Sequence, residues 1–193
     1  MCRKLLVLIF VVSILVQAKF SWSENYTFRY TRWGMTAEEV IASESGLDPV
    51  EKSENMVKYK TQVLGRNVEL VYSFFQNQLT GSSYQLYENY INSKHFITSY
   101  LGFKAALTRK YGPAKVEQTN WQNDALRNIS NKKGLALSLG HVDYLSSWET
   151  PSTTINCSLK EDNYYILSSV TYRSKEFSML QQESKKEDEL DPL

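Results

Sequence analysis

The chain has 193 residues, with 22 Lys and Arg against 21 Asp and Glu and a net charge of +1. This length suits one domain or two small fused ones, with a core large enough to be stable without crosslinks. The near-neutral balance argues against nucleic-acid binding, because proteins that bind phosphate backbones normally carry a clear excess of Lys and Arg.

The N-terminus has the pattern of an export signal. Arg3 and Lys4 precede a short apolar run, and the small residue Ala18 follows it. This order is typical of a secretory signal peptide, and the run is shorter than the roughly 20 residues that cross a bilayer. We therefore predict a signal peptide over residues 1–18, cleaved after Ala18 or alternatively after Ser23, and a mature protein in the periplasm or outside the cell.

Removal of residues 1–18 leaves one cysteine, Cys157, and 20 basic against 21 acidic side chains. No intramolecular disulfide is then possible, so packing must stabilise the fold. Cys157 alternates with Ile155 and Leu159 in a strand-like pattern, which predicts a buried and unreactive thiol. No stable membrane span is expected after cleavage.

The first half of the mature domain, residues 26–91, is predicted to be a short helix followed by a meander of strands. Thr36 and Glu39 form a capping box, which predicts a helix from residue 37 that is closed by Gly46. Period-two alternation of apolar and polar residues predicts strands at 57–63, 68–75 and 79–87.

The second half, residues 92–173, returns to one helix and several strands. An apolar stripe from Phe96 to Tyr111 predicts a longer helix that ends at Gly112. Gly102 inside this helix is costly relative to Ala and hints at close packing there. Strand patterns follow at 114–121, 135–139, 142–148, 153–159 and 165–172.

Together these elements predict one α+β domain over residues 19–173. The simplest arrangement is an antiparallel sheet with two main helices packed on one face, and the order of elements allows a duplication of the helix-and-meander unit. Residues 174–193 are charged, contain too few apolar residues to fold alone, and are predicted to be a disordered tail.

Two short motifs resemble those of a known group of proteins. Residues 33–36, followed by Glu39 and Val40, resemble the helix start of small bacterial envelope proteins that share the fold of the BamE outer-membrane assembly lipoprotein and of the β-lactamase-inhibitor protein. Residues 107–113 are similar to the second helix-to-strand junction in secreted proteins of that kind. The resemblance implies bacterial export and a role in binding other proteins, with no catalytic residues. The chain lacks the lipid-bearing cysteine of BamE, which argues against a direct part in barrel assembly.

The sequence contains no phosphate loop, no dinucleotide-binding glycine motif and no Gly-x-Ser-x-Gly elbow. His141 and Asp143 share one face of a predicted strand, where a surface pair is favoured over a metal site. We therefore predict no catalytic, cofactor-binding or metal-binding residue.

Four aromatic residues of the second half are the candidate partner-binding residues: Trp121, Tyr144, Trp148 and Tyr165. Trp and Tyr are favoured anchors in protein interfaces, so these side chains would bind a partner if several converge on one exposed sheet face. In the core, or as half-buried cross-strand pairs, they would stabilise the fold instead. The sequence leaves both roles open.

The expected function is that of an exported, non-catalytic module that binds a protein or peptide. The alternative is a small-ligand carrier with a pocket between helices and sheet, and a hydrolase comes third. No cofactor is expected, and the sequence does not specify the oligomeric state.

Overall fold

A computed structural model describes residues 26–180 of the chain. The predicted signal peptide and residues 181–193 of the predicted tail lie outside the described residues. Within the described range, no helix is both long enough and apolar enough to cross a membrane.

An antiparallel sheet of eight strands forms the centre of the fold, which confirms the predicted α+β class. The strands are β1 (Glu51–Ser53), β2 (Met56–Val63), β3 (Arg66–Phe75), β4 (Gln78–Leu86), β5 (Val116–Trp121), β6 (Val142–Glu149), β7 (Thr153–Asp162) and β8 (Tyr165–Ser174). Across the sheet they lie in the order β1-β2-β3-β4-β8-β7-β6-β5. Each half of the chain therefore contributes four adjacent strands, and the pairing of β4 with β8 joins the halves.

The helices are α1 (Ala37–Ser43) and α2 (Lys94–Tyr111), so the predicted start of the first and the predicted end of the second are found. The first helix ends at Ser43 with Glu44 as its C-cap, earlier than the predicted closure at Gly46. The capping box is present, because the Glu39 N–H donates to Thr36 Oγ1 and the Thr36 N–H donates to Glu39 Oε2. Gly112 ends α2 with a φ of +83°, a left-handed conformation that glycine adopts without strain.

Gly102 lies at a close contact, as its position inside α2 indicates. A Cβ on this residue would lie 3.4 Å from Nη2 of Arg66 on β3. The same Arg66 donates from Nε to Ser99 Oγ of α2 at 2.8 Å. The glycine therefore makes room for a guanidinium that ties α2 to the first half of the sheet.

The predicted strand at 135–139 is wrong, because Lys133–Ser138 form a short helix, α3. Ala136 and Leu137 of α3 are fully buried. A short apolar run is compatible with a buried helix as well as with a strand, so periodicity alone did not separate them. A Cβ on Gly134 would lie only 2.8 Å from the Lys94 backbone nitrogen, so the close approach of α3 to the start of α2 requires a glycine there.

The ordered chain continues beyond residue 173, the predicted end of the domain. Ser174 is the last residue of β8, and residues 175–180 are helical. The ring of Phe177 in this helix packs 3.7 Å from the position a Cβ on Gly34 would take. The helix thus connects the end of the last strand to the segment that precedes α1.

Candidate functional site

A groove of about 520 Å³, called here the sheet groove, lies over β3, β4 and β8. Ser73 is opposite Gly81, which in turn is opposite Arg173. Directly opposed residues of antiparallel strands project to the same face, so these three belong to one row of the groove. The neighbouring row on this face consists of Val71, Ser83 and Thr171.

Small side chains create the depression. Gly81 contributes no side chain, and a Cβ there would lie 3.5 Å from the carbonyl oxygen of Tyr172. Beside it, the register of β3 and β4 shifts between Ser73 and Phe74, which marks a bulge. Glycine inside a strand often marks a bulge, and here the bulge lies directly beside Gly81.

The groove is chemically polar. Hydroxyl groups of Ser73, Ser83 and Thr171 line it together with the Gln85 amide and the Arg173 side chain. Among residues 26–180, Arg173 has no carboxylate within ion-pair distance. The groove therefore offers hydrogen-bond donors and acceptors to a polar ligand, and one cation to a carboxylate.

A second, smaller space of about 140 Å³ lies between α2 and the sheet. It is called here the apolar cleft, and its lining includes Val63, Leu64, Phe103, Leu107 and Val170. Its walls are almost entirely hydrocarbon, so it suits an apolar group about the size of one aromatic ring.

A buried charge lies close to the end of α1. Arg29 donates from Nε and Nη2 to the two Glu44 carboxylate oxygens, at 2.7 and 2.8 Å, and the Tyr72 hydroxyl also donates to Glu44. The Glu44 side chain is only 1% exposed. The hydrogen bond to Glu44 raises the pKa of Arg29, while burial followed by the bond to Glu44 raises the pKa of Tyr72. This cluster is fully satisfied internally, which indicates a structural anchor.

Cys157 is fully buried on β7, as predicted. Burial raises the pKa of its thiol to about 12. At neutral pH the thiolate form is then negligible, so Cys157 is not a nucleophile. Within the described range, no group of three or more His, Cys, Asp or Glu side chains is placed to hold a metal ion.

The structure brings together two of the four candidate aromatic residues. Trp121 on β5 is opposite Val142, and Tyr144 on β6 is opposite Thr119, so the two aromatic side chains are diagonal neighbours on one face. Both are half-buried against the core. Trp148 is 2% exposed and donates from Nε1 to the Gly112 carbonyl, whereas Tyr165 is 73% exposed where β8 begins. The four therefore do not form one surface.

The sheet groove has no counterpart among the residues predicted from the sequence. The one local signal was the run from Thr80 to Ser83, four small residues inside a predicted strand. Arg173 and Thr171 come from β8, near the other end of the described chain, and only the pairing of β4 with β8 places them beside this run.

Comparison with known proteins gives no relative for this chain, since no protein-family model, no curated protein and no solved structure matches it.

Proposed function

We propose that the protein is an exported, non-catalytic module that binds a polar, extended segment of another polypeptide in the sheet groove. The proposal includes a signal peptide over residues 1–18 and a working place in the periplasm or outside the cell. It also includes a fold shared with the BamE-like and β-lactamase-inhibitor-like envelope proteins.

The register of the sheet supports an arrangement in which α1 and α2 cover the same face. Glu44, just after α1, accepts from Tyr72 on β3, and Tyr100 of α2 is 2.8 Å from Ser146 on β6. Direct cross-strand pairs lead from Ser146 through Cys157, Val170 and Tyr84 to Leu70, so all of these side chains project to one face. Tyr72 is two residues from Leu70 on β3 and therefore projects to the same face. The residues of the groove rows alternate with these, so they project to the opposite face, which α1 and α2 leave open to a partner.

The observation that carries the proposal is the composition of the groove at its size. A volume of about 520 Å³ falls within the range of specific binding sites. Its hydroxyls and amide match the donors and acceptors of a peptide backbone, and Gly81 lets that backbone come close to the sheet. Arg173 adds a preference for a partner segment that carries a carboxylate.

The test fills the groove without disturbing the core. The purified protein is used to capture partners from its own envelope or secreted fraction, in parallel with Thr171→Trp and with a matched control, Ser158→Trp. Ser158 lies on the same face, opposite Ser169, but outside the groove. We expect the partner to be lost with Thr171→Trp and kept with Ser158→Trp, with the same melting temperature for both.

Retention of the partner by Thr171→Trp would refute the groove as its binding site. If the partner is instead lost on substitution of Trp121→Ala in a folded protein, the aromatic pair of β5 and β6 is the interface.

The apolar cleft favours a second candidate function, that of a small-ligand carrier. Its space lies between α2 and the sheet, and Lys110 at its lining offers a cation to an acidic ligand. Titration with benzene and with benzoate, followed by NMR shifts of Phe103 and Leu107, tests this. Saturable shifts that disappear in Ala106→Phe, which narrows the cleft, would support a carrier, and their absence would exclude one for ligands of this class.

A further inference from the structure

The two edges of the sheet differ in how well they are protected against pairing with another chain. At one edge, β1 has three residues, includes Lys52 and is preceded closely by Pro49. Short strands, lysines and prolines are the usual devices that prevent edge-to-edge pairing. At the other edge, β5 has six residues with no Pro and no Lys, and residues 117–120 are all exposed.

The backbone of β5 has free hydrogen-bonding groups on its outer side. The Gln122 N–H donates to the His141 carbonyl at 2.8 Å, which fixes the phase of the β5–β6 ladder. Alternate residues of an antiparallel strand bond to the same neighbour, so Gln118 and Asn120 face β6. The N–H and C=O groups of Glu117 and Thr119 then point away from the sheet, and in residues 26–180 no strand pairs with them.

We propose that the outer edge of β5 accepts an extended, acidic segment of a partner polypeptide as a ninth strand. The backbone groups of Glu117 and Thr119 supply the hydrogen bonds, as in other modules that add a peptide strand to a sheet edge.

The charge around β5 selects an acidic segment. Residues 104–133, which contain β5 and both of its connections, carry seven basic and two acidic side chains, a net charge of +5. Lys115 directly before β5 pairs with Glu149 and Arg127 shortly after it pairs with Asp124, but these are surface pairs, and the two basic side chains stay 65% and 55% exposed. A partner strand with carboxylates would therefore find cations at both ends of the edge.

The same charge argues against a second copy of this chain as the occupant. Pairing of two β5 edges would bring two such basic segments together, at a cost in repulsion. A pair of six-residue strands also buries less than the roughly 800 Å² per partner of a standard stable interface.

Trp121 and Tyr144 give the β5 edge an apolar surface against which a side chain of the added strand can pack. They are half-buried diagonal neighbours on β5 and β6, so an apolar residue of the added strand would lie against Trp121. Strands β6 and β7 separate this edge from the groove strand β8. The inference is therefore independent of the sheet groove, and either can fail without the other.

The experiment measures binding of two short peptides to the purified protein. The probe alternates valine with glutamate, and the charge control alternates valine with lysine. We expect the acidic peptide to bind and the basic one not to, with affinity that falls as salt is raised. At saturation, amide hydrogen exchange by NMR should slow at Glu117 and Thr119. The amides of Gln118 and Asn120, already bonded to β6, should not change.

Thr119→Pro removes one outward N–H while leaving the bonds to β6 in place, a position where edge strands tolerate proline. We expect binding of the acidic peptide to weaken about tenfold or more, because one backbone hydrogen bond to the peptide is lost and the neighbouring ones are weakened. Thr119→Val, which keeps the N–H, is the matched control and should bind as the unsubstituted protein does. Thr171→Trp in the sheet groove should also leave this binding unchanged.

The proposal would be overturned by no binding of the acidic peptide, by equal binding of the basic one, by slowed exchange away from β5, or by full binding to a folded Thr119→Pro. If Thr119→Pro does not fold, the exchange pattern in the unsubstituted protein decides. A dimer in sedimentation equilibrium that is competed by the acidic peptide would identify a second copy as the occupant, contrary to the proposal. Tighter binding of a peptide of residues 181–193 than of the valine–glutamate peptide would identify the chain's own segment, also contrary to it.

Discussion

Helices α1 and α2 are attached to the sheet by different chemistry. The shorter helix, α1, buries only Ala37 and Val40, and the adjoining Glu44 adds a buried charge bonded to Arg29 and Tyr72. The longer helix, α2, buries an apolar stripe and adds a neutral bond between Tyr100 and Ser146. A seven-residue helix has too little apolar area to fix its own position against the sheet. The charged hydrogen bonds of Glu44 with Arg29 and Tyr72, called here the charged anchor, hold it instead. The comparison indicates that the attachment of α1 depends on all members of a small cluster, whereas that of α2 is spread over many contacts.

The largest effect is expected when the charged anchor loses one partner. Arg29→Met keeps the length of the side chain but leaves the Glu44 carboxylate buried without its cation. We expect a loss of about 3–5 kcal/mol in the free energy of unfolding, measured by urea denaturation, because an unpaired buried charge is strongly destabilising.

The control for this experiment is the double variant Arg29→Met with Glu44→Gln, which removes the charge as well as its partner. It should regain most of the lost stability. If the single and double variants are equally unstable, packing of the Arg29 stem, and not the ion pair, holds α1 in place.

A smaller loss of stability is expected when α2 loses the bond between Tyr100 and Ser146, called here the neutral anchor. Tyr100→Phe leaves the Ser146 hydroxyl buried without this partner, at a cost of about 1–3 kcal/mol in the free energy of unfolding. Addition of Ser146→Ala should restore part of that loss, since both polar groups are then absent. A loss as large as that of Arg29→Met would contradict the distinction between the two anchors.

The most gradual effect is a loss of stability at high pH. Burial raises the pKa of both Tyr72 and Tyr100 above the ordinary value near 10. Between that value and the folded pKa, the unfolded chain loses the tyrosine proton while the folded protein keeps it. The folded state then binds more protons, so stability must fall as pH rises above 10, by at most about 1.4 kcal/mol per pH unit for each tyrosine.

Urea denaturation at several pH values above 9 measures this slope, and Tyr72→Phe and Tyr100→Phe assign it. Each substitution should reduce the slope, and the reduction should extend to higher pH for Tyr72, whose hydroxyl also donates to Glu44. A slope that neither substitution changes would place the titrating tyrosines elsewhere in the molecule.

The local parts of this architecture could be predicted from the sequence. The capping box at Thr36 and Glu39, the apolar stripe of α2 and the alternation in β2 and β3 depend on residues close in the chain, where periodicity and capping are decisive. Residues 133–138 form a helix that packs closely against the start of α2 at Gly134, and such a contact leaves no periodic signal in so short a segment.

The candidate sites depend on residues distant in the chain. Glu44 follows a short helix and has the sequence pattern of an exposed residue, and only its bonds to Arg29 and Tyr72 make it a buried one. The groove requires Thr171 to lie beside Ser83, which follows from a strand order that no local pattern contains. Trp148, predicted as a candidate for binding, is buried because its indole N–H finds an acceptor in the Gly112 carbonyl beyond the end of α2.

The pairing of β4 with β8 has a consequence for biosynthesis. β8 is the last of the described strands in chain order, so a folding chain that has already formed β1 to β4 presents β4 as an open template until β8 pairs with it. An unpaired strand edge of this kind is a starting point for misassembly, and contacts between such distant segments form slowly. Newly made protein should therefore depend on chaperone protection of the β4 edge until β8 arrives.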